Sequence, residues 1–237
     1  MEGITDKFYI REYLKIYKLC KFGMEKYKED KHYSFIEYSG NNITHWSFLD
    51  SEDENYSNID YKKITNKIFL IADRDSEGGE GKKQERFNKL EEKLKNNFCR
   101  LTCVEVENYL HEDIVKKVVF DYEKQANKEI KDIDDINFKK NDFTNDDYKN
   151  IHLGEFIDGQ LVNRKRRASY ADSRYNTGTV GDKPEFSRRA CNYMRSEIAK
   201  IQNNIKSEIE VDRNKYLSKP TQELIVKVIE FIEKNNQ

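Results

Sequence analysis

The run Lys67-Ile68-Phe69-Leu70-Ile71-Ala72-Asp73-Arg74-Asp75-Ser76 constrains this chain more than any other. Four large apolar residues and an alanine lead without interruption into two acids. An unbroken apolar run of that length reads as a strand buried on both faces, the kind found in parallel sheets covered by helices. Side chains alternate along a strand, so Asp73 and Asp75 point one way and Arg74 the other. The carboxyl end of a parallel strand is where open α/β sheets place their sites. Two like charges that close together repel, and a hard cation relieves them. A strand ending in a solvated Asp-Arg-Asp turn fits this stretch equally well.

The surrounding chain supports an α/β reading. Lys82 to Asn97 has Phe87, Leu90 and Leu94 at helical spacing, and the first part of Phe98 to Leu110 reads as a second strand, giving a βαβ unit. Between them, Ser76 to Gly81 holds three glycines and reads as a loop, without the Lys-Ser/Thr pair of a phosphate loop. Upstream, Thr5 is a fair N-cap for a helix from about Asp6 to Leu19, with Phe8, Tyr9, Tyr13, Leu14 and Tyr17 inward. Asp6 then lies in the first turn, where the helix dipole favours an acid. Tyr33 to Tyr38 predicts a strand, Ile43 to Leu49 is ambiguous, and the acidic run Asp50 to Asp60 predicts a solvated loop.

Downstream, His111 to about Lys128 predicts a helix with Ile114, Val118, Val119 and Tyr122 inward. Ile130 to Asn150 is charged and poor in apolar residues, so partial disorder is expected. Phe186 to Ile209 predicts a long helix, and Ser218-Lys219-Pro220-Thr221 opens a last one. Arg164 to Arg189 holds eight basic residues against three acids, net +5, with Tyr170 and Tyr175 interleaved. Arg164, Lys165, Arg166, Arg167, Arg174, Arg188 and Arg189 are the candidates for nucleic-acid backbone binding. A plain solvated loop is the other reading.

Composition narrows the function classes. The 237 residues carry a net charge of −1, so nucleic-acid binding must come from that local patch. Cys20, Cys99, Cys103 and Cys191 form no zinc spacing and read as reduced thiols of a cytoplasmic protein. No apolar leader or membrane-length run is present.

Taken in order, Glu2-Gly3 before Asp6 and a helix, a strand ending near Gly40, Asp73-Arg74-Asp75, and Glu105-Val106-Glu107-Asn108-Tyr109 resemble a Toprim domain. The opening and the Glu-Asn-Tyr segment look most like the OLD (overcoming lysogenization defect) branch of ATPase-associated nucleases. The resemblance covers roughly the first half of the chain. It implies an α/β fold with a mostly parallel sheet flanked by helices over residues 1–128, and a mostly helical, basic extension over 129–237. It implies a Mg²⁺- or Mn²⁺-dependent nuclease, acting on DNA in preference to RNA under an ABC-type ATPase partner in defence against phage. A homo-oligomer is compatible with that.

Carried over residue by residue, the resemblance makes Glu2, Asp6, Asp73, Asp75 and Glu107 metal-binding acids; it also implies a catalytic lysine downstream, for which Lys183 is the candidate on position alone. Glu105, on the same predicted strand face as Glu107, joins the acids, although it reads better as a solvated or supporting residue than as a direct ligand. Asp6 reads equally as a helix-dipole acid. Carboxylate oxygens suit Mg²⁺ or Mn²⁺ rather than zinc. In such sites two ions roughly 3.5–4 Å apart serve phosphodiester cleavage. No strand precedes Glu2 and no ATPase module accompanies it. The chain is therefore expected to be the catalytic piece of a longer protein or a subunit beside an ATPase. The other readings are an RNA-cleaving, transfer-RNA-directed Toprim nuclease, a phospho-receiver domain and a non-catalytic assembly fragment.

Overall fold

A computed structural model describes residues 3–37, 46–47, 59–60, 67–74, 82–136, 138–139, 143, 146–162, 166, 168–174 and 178–237. Helix α1 (Ile4–Phe22) is the centre of the packing. Tyr9, Ile10, Tyr13, Leu14 and Ile16 are almost wholly buried, mainly against α6 (Lys183–Lys206) and α7 (Lys219–Asn235). The helix stops at Gly23, whose left-handed φ of 67° suits a residue without Cβ and whose N–H bonds Leu19 O at 2.9 Å. The N-cap is Gly3 rather than Thr5, and its N–H donates to Asp6 Oδ2 at 2.9 Å.

The apolar run forms β3 (Leu70–Ala72), following the short β1 (Trp46–Ser47) and β2 (Ile59–Asp60), which pair in parallel. β3 pairs in parallel with β4 (Phe98–Arg100) in the register Leu70↔Phe98, Ile71↔Cys99, Ala72↔Arg100. Helix α2 (Lys82–Leu94) joins them. Leu70 and Ala72 pack with Phe87, Leu90 and Phe98, while Ile71 and Cys99 join the large core around α1. Each face of the strand thus meets its own apolar layer, as the unalternating pattern requires.

Several expectations change. Tyr33 to Glu37 forms no strand beyond one isolated bridge between Glu29 and Tyr33, and Tyr38 lies outside the described residues. Glu105 and Glu107 do not lie on a strand: Val106–Tyr109 is a 3₁₀ turn with Glu105 at its N-cap. The chain leaves the sheet there because the Val104 N–H bonds Lys149 O at 3.0 Å, at the end of α4 (Asp146–Asn150), instead of a neighbouring strand. Within the segment expected to be partly disordered, Ile130, Phe143 and Tyr148 are buried. α3 (Glu112–Ala126) and α5 (Leu153–Gln160) follow their apolar spacing. α6 begins at Lys183, earlier than its apolar face suggests, because Asp182 caps it and accepts the Glu185 N–H. Ser218 caps α7 as expected.

Among the described residues the molecule is mixed α/β, mostly helical, with small parallel strand pairs. The boundary expected between residues 128 and 129 does not separate two cores, since one apolar cluster runs from Tyr9 to Ile232. No described helix is long and apolar enough to cross a membrane. The four cysteines are free thiols, with only Cys20 partly exposed.

Candidate functional site

Lys183 is the first residue of α6, a position where the helix dipole disfavours a cation. Its ammonium lies 3.2 Å from Glu105 Oε2 and 3.4 Å from Glu107 Oε2, both carried by the 3₁₀ turn after β4. Attraction to two acids offsets the dipole. Two elements distant in sequence therefore meet at one point. Asp6 at the start of α1 and Asp73 at the end of β3 complete the group, each close enough for its charge to act on Lys183.

A β-hairpin ends two residues before the lysine. Ala171 bridges Val180, and the Gly181 N–H bonds Tyr170 O at 2.9 Å. The hairpin rests on α5, where Glu155 N–H bonds Gly178 O at 2.9 Å and Asp158 Oδ2 accepts the N–H groups of Tyr170 and Ala171 at 3.0 Å. Gly154 is required at this contact. A Cβ there would stand 2.6 Å from Thr179 O and 2.8 Å from Ala171 Cα.

Glu105 and Glu107 are both buried, and their surroundings differ. Glu105 Oε1 accepts the Leu153 N–H at 2.8 Å, and His152 Nδ1 lies 3.3 Å from Oε2, off the ideal hydrogen-bonding direction. Burial alone would raise the Glu105 pKa, but His152, Lys183 and the Leu153 N–H together hold it below the ordinary carboxylate value. Glu107 has weaker support, and its Oε1 is buried without a partner among the described residues. Burial pushes its pKa up to about 7 against the pull of Lys183, with Glu105 and Asp6 adding repulsion. Asp6 is raised as well, chiefly by burial, against the Gly3 N–H and Lys183. Burial would lower Lys183, but Glu107, Glu105 and Asp73 outweigh it and hold the ammonium charged. Two carboxylates in contact with one cation are thus tuned in opposite directions.

Of the acids expected here, the structure brings Asp6, Asp73, Glu105 and Glu107 around Lys183, while Glu2 and Asp75 lie outside the described residues. Among the described residues no group of three or more His, Cys, Asp or Glu is arranged to hold a metal ion. From the sequence, His152 reads as a surface or core histidine rather than a site residue. Its one signal is its place just before an apolar helix, and nothing there ties it to Glu105, 47 residues away. Of the basic candidates, Arg164, Lys165 and Arg167 lie outside the described residues. Arg166 lies over the rings of Tyr122 and Tyr170 at 4.7 and 4.8 Å. Arg188 makes a two-pronged pair with Glu185 at 2.6 and 2.7 Å, and Arg189 shares Glu185 while covering Tyr122 at 4.2 Å. Arg174 is exposed and bonds Gly181 O at 3.1 Å. No protein-family model, curated protein or solved structure matches the chain.

Proposed function

We propose that this chain is a metal-dependent nuclease of Toprim type, related to the OLD branch, that cleaves or nicks DNA as the effector of an ATPase-controlled antiviral system. The observation that supports it is the meeting of Asp6, Asp73, Glu105, Glu107 and Lys183. These residues lie far apart in sequence and are the ones the resemblance assigns.

The donor chemistry fits a hard divalent cation. The groups are carboxylates, and Glu107 Oε1 is a buried oxygen with no partner among the described residues. The described acids form no metal-holding group by themselves, so Mg²⁺ or Mn²⁺ would need Glu2 and Asp75 beside Asp6, Asp73 and Glu107. When bound, the metal activates water and stabilises the leaving oxygen. Lys183 supplies a fixed positive charge that stabilises charge developing on the cleaved phosphate. Glu105 positions Lys183 through its bonds to Leu153 and Lys183 and takes no ligand role. The basic segment holds the nucleic-acid backbone. An ABC-type ATPase, as a partner subunit or a fused domain, controls access. The chain works in the cytoplasm, with a homo-oligomer compatible.

Plasmid nicking in Mg²⁺ or Mn²⁺ tests this, with transfer RNA tried in parallel. Wild type is expected to nick, and Asp73→Asn to lose the activity with its helical circular dichroism unchanged. Cleavage of transfer RNA alone would assign an RNA substrate. No cleavage of either by the chain together with its ATPase would sink the nuclease reading.

A further inference from the structure

Beside the acid cluster lies a second cavity, bordered by Tyr122 of α3, Arg166, Tyr170, Asp172, Arg174 and Asp182. Its volume is about 230 Å³. That is below the roughly 300–1,000 Å³ of pockets for drug-sized ligands, so it admits one ring-sized group. Among the described residues two guanidinium groups and two carboxylates border it, so their formal charges balance. A phosphate entering it would meet Asp172 and Asp182. A neutral base edge, which carries donors and acceptors together, finds partners in both kinds of group.

The cavity is preformed. The Arg166 guanidinium is laid across two tyrosine rings, and its backbone N–H is fixed to Glu123 Oε2 at 3.1 Å. Guanidinium planes and aromatic rings are the surfaces on which unpaired bases stack. The Tyr122 hydroxyl is buried and has no hydrogen-bond partner among the described residues. Asp182 immediately precedes Lys183, so the cavity wall and the catalytic lysine are consecutive residues.

We infer that this cavity seats one unpaired base of the nucleic acid whose cleaved phosphate lies at Lys183. The inference rests on the nuclease reading above for the identity of that polymer. It makes the site selective for single-stranded or locally opened nucleic acid, because a paired base would have to be extruded to enter.

The test is fluorescence anisotropy with short labelled strands, deoxy and ribo, in EDTA so that nothing is cleaved. A strand of the same length with abasic residues throughout is the comparison. Wild type should bind the abasic strand about tenfold more weakly, as expected from the stacking of one base. Arg166→Lys keeps the charge and loses the plane. It should weaken the base-bearing strand about tenfold and leave the abasic strand unchanged. Equal binding of both strands by wild type overturns the inference, as does an equal loss of both in Arg166→Lys. Failure to bind any strand overturns it together with the nucleic-acid reading. Base-dependent binding without metal-dependent cleavage leaves it standing and sinks the nuclease reading alone.

Discussion

Replacing Glu107 with glutamine should make this protein more stable at pH 8, although it removes one partner of a buried ion pair. Glu107 is 1% exposed, and its pKa in the folded chain is about 7, against an ordinary 4.5. Between those values the folded state binds a proton that the unfolded state has released, so stability falls as pH rises. The penalty is absent below about pH 4.5, builds to pH 7 and stays constant above. At about 1.4 kcal/mol per pH unit, that gap makes the ionised carboxylate cost on the order of 3 kcal/mol. A glutamine side chain at this position resembles the protonated acid and its carbonyl can still accept from Lys183, so the Glu107→Gln variant escapes the cost. Other titrating groups, including Glu105 with its lowered pKa, act similarly in both proteins and largely cancel in the difference.

Urea unfolding in EDTA at intervals from pH 4.5 to 8.5 measures that difference. It should be near zero at pH 4.5 and about 3 kcal/mol at pH 8. For a chain of this size that corresponds to roughly 6–12 °C in Tm. Mg²⁺ should narrow the gap at pH 8 by stabilising the wild type, because a ligand that binds only the folded state adds to stability. A Glu107→Gln variant no more stable than wild type at pH 8, with an unchanged m-value, would refute the account of Glu107 as an inadequately compensated buried charge.

On the proposed nuclease reading, Lys183→Ala should lower turnover at saturating substrate and resist rescue by low salt, since its charge would act on the reacting phosphate. Neutralising Arg164, Lys165 and Arg167 together should instead be recovered at low salt and flatten the salt dependence by about 0.9 in slope per lost duplex phosphate contact. Rescue of Lys183→Ala by low salt would make it one more backbone contact. Gly154→Ala should destabilise the fold by about 1–3 kcal/mol, because its Cβ would meet hairpin backbone rather than a yielding side chain. A neutral result in urea unfolding would mean that the hairpin does not need its close seat on α5.

What could be read in the sequence depended on how far each residue's partner lay along the chain. β3 was legible because burial on both faces removes alternation, and Leu70, Ala72 and Ile71 divide between two apolar layers accordingly. Val104-Glu105-Val106-Glu107 alternates like a strand and is not one, because the bond that turns it comes from Lys149, 45 residues on. The count of eight basic residues overstated the segment's free cations, since Glu185 occupies both Arg188 and Arg189 and Lys183 faces Glu105 and Glu107. Local rules also separate the two charged residues at helix starts. Asp6 obeys the helix dipole, so its placement in the first turn says little about chemistry. Lys183 opposes the dipole at the first residue of α6 and stands against two buried acids instead. A residue that breaks a local rule and is compensated only by distant partners was kept there for those partners. The apolar face of α6 hid this by suggesting a helix that starts at Phe186, and only the Asp182 cap and Pro184 beside it mark the true start.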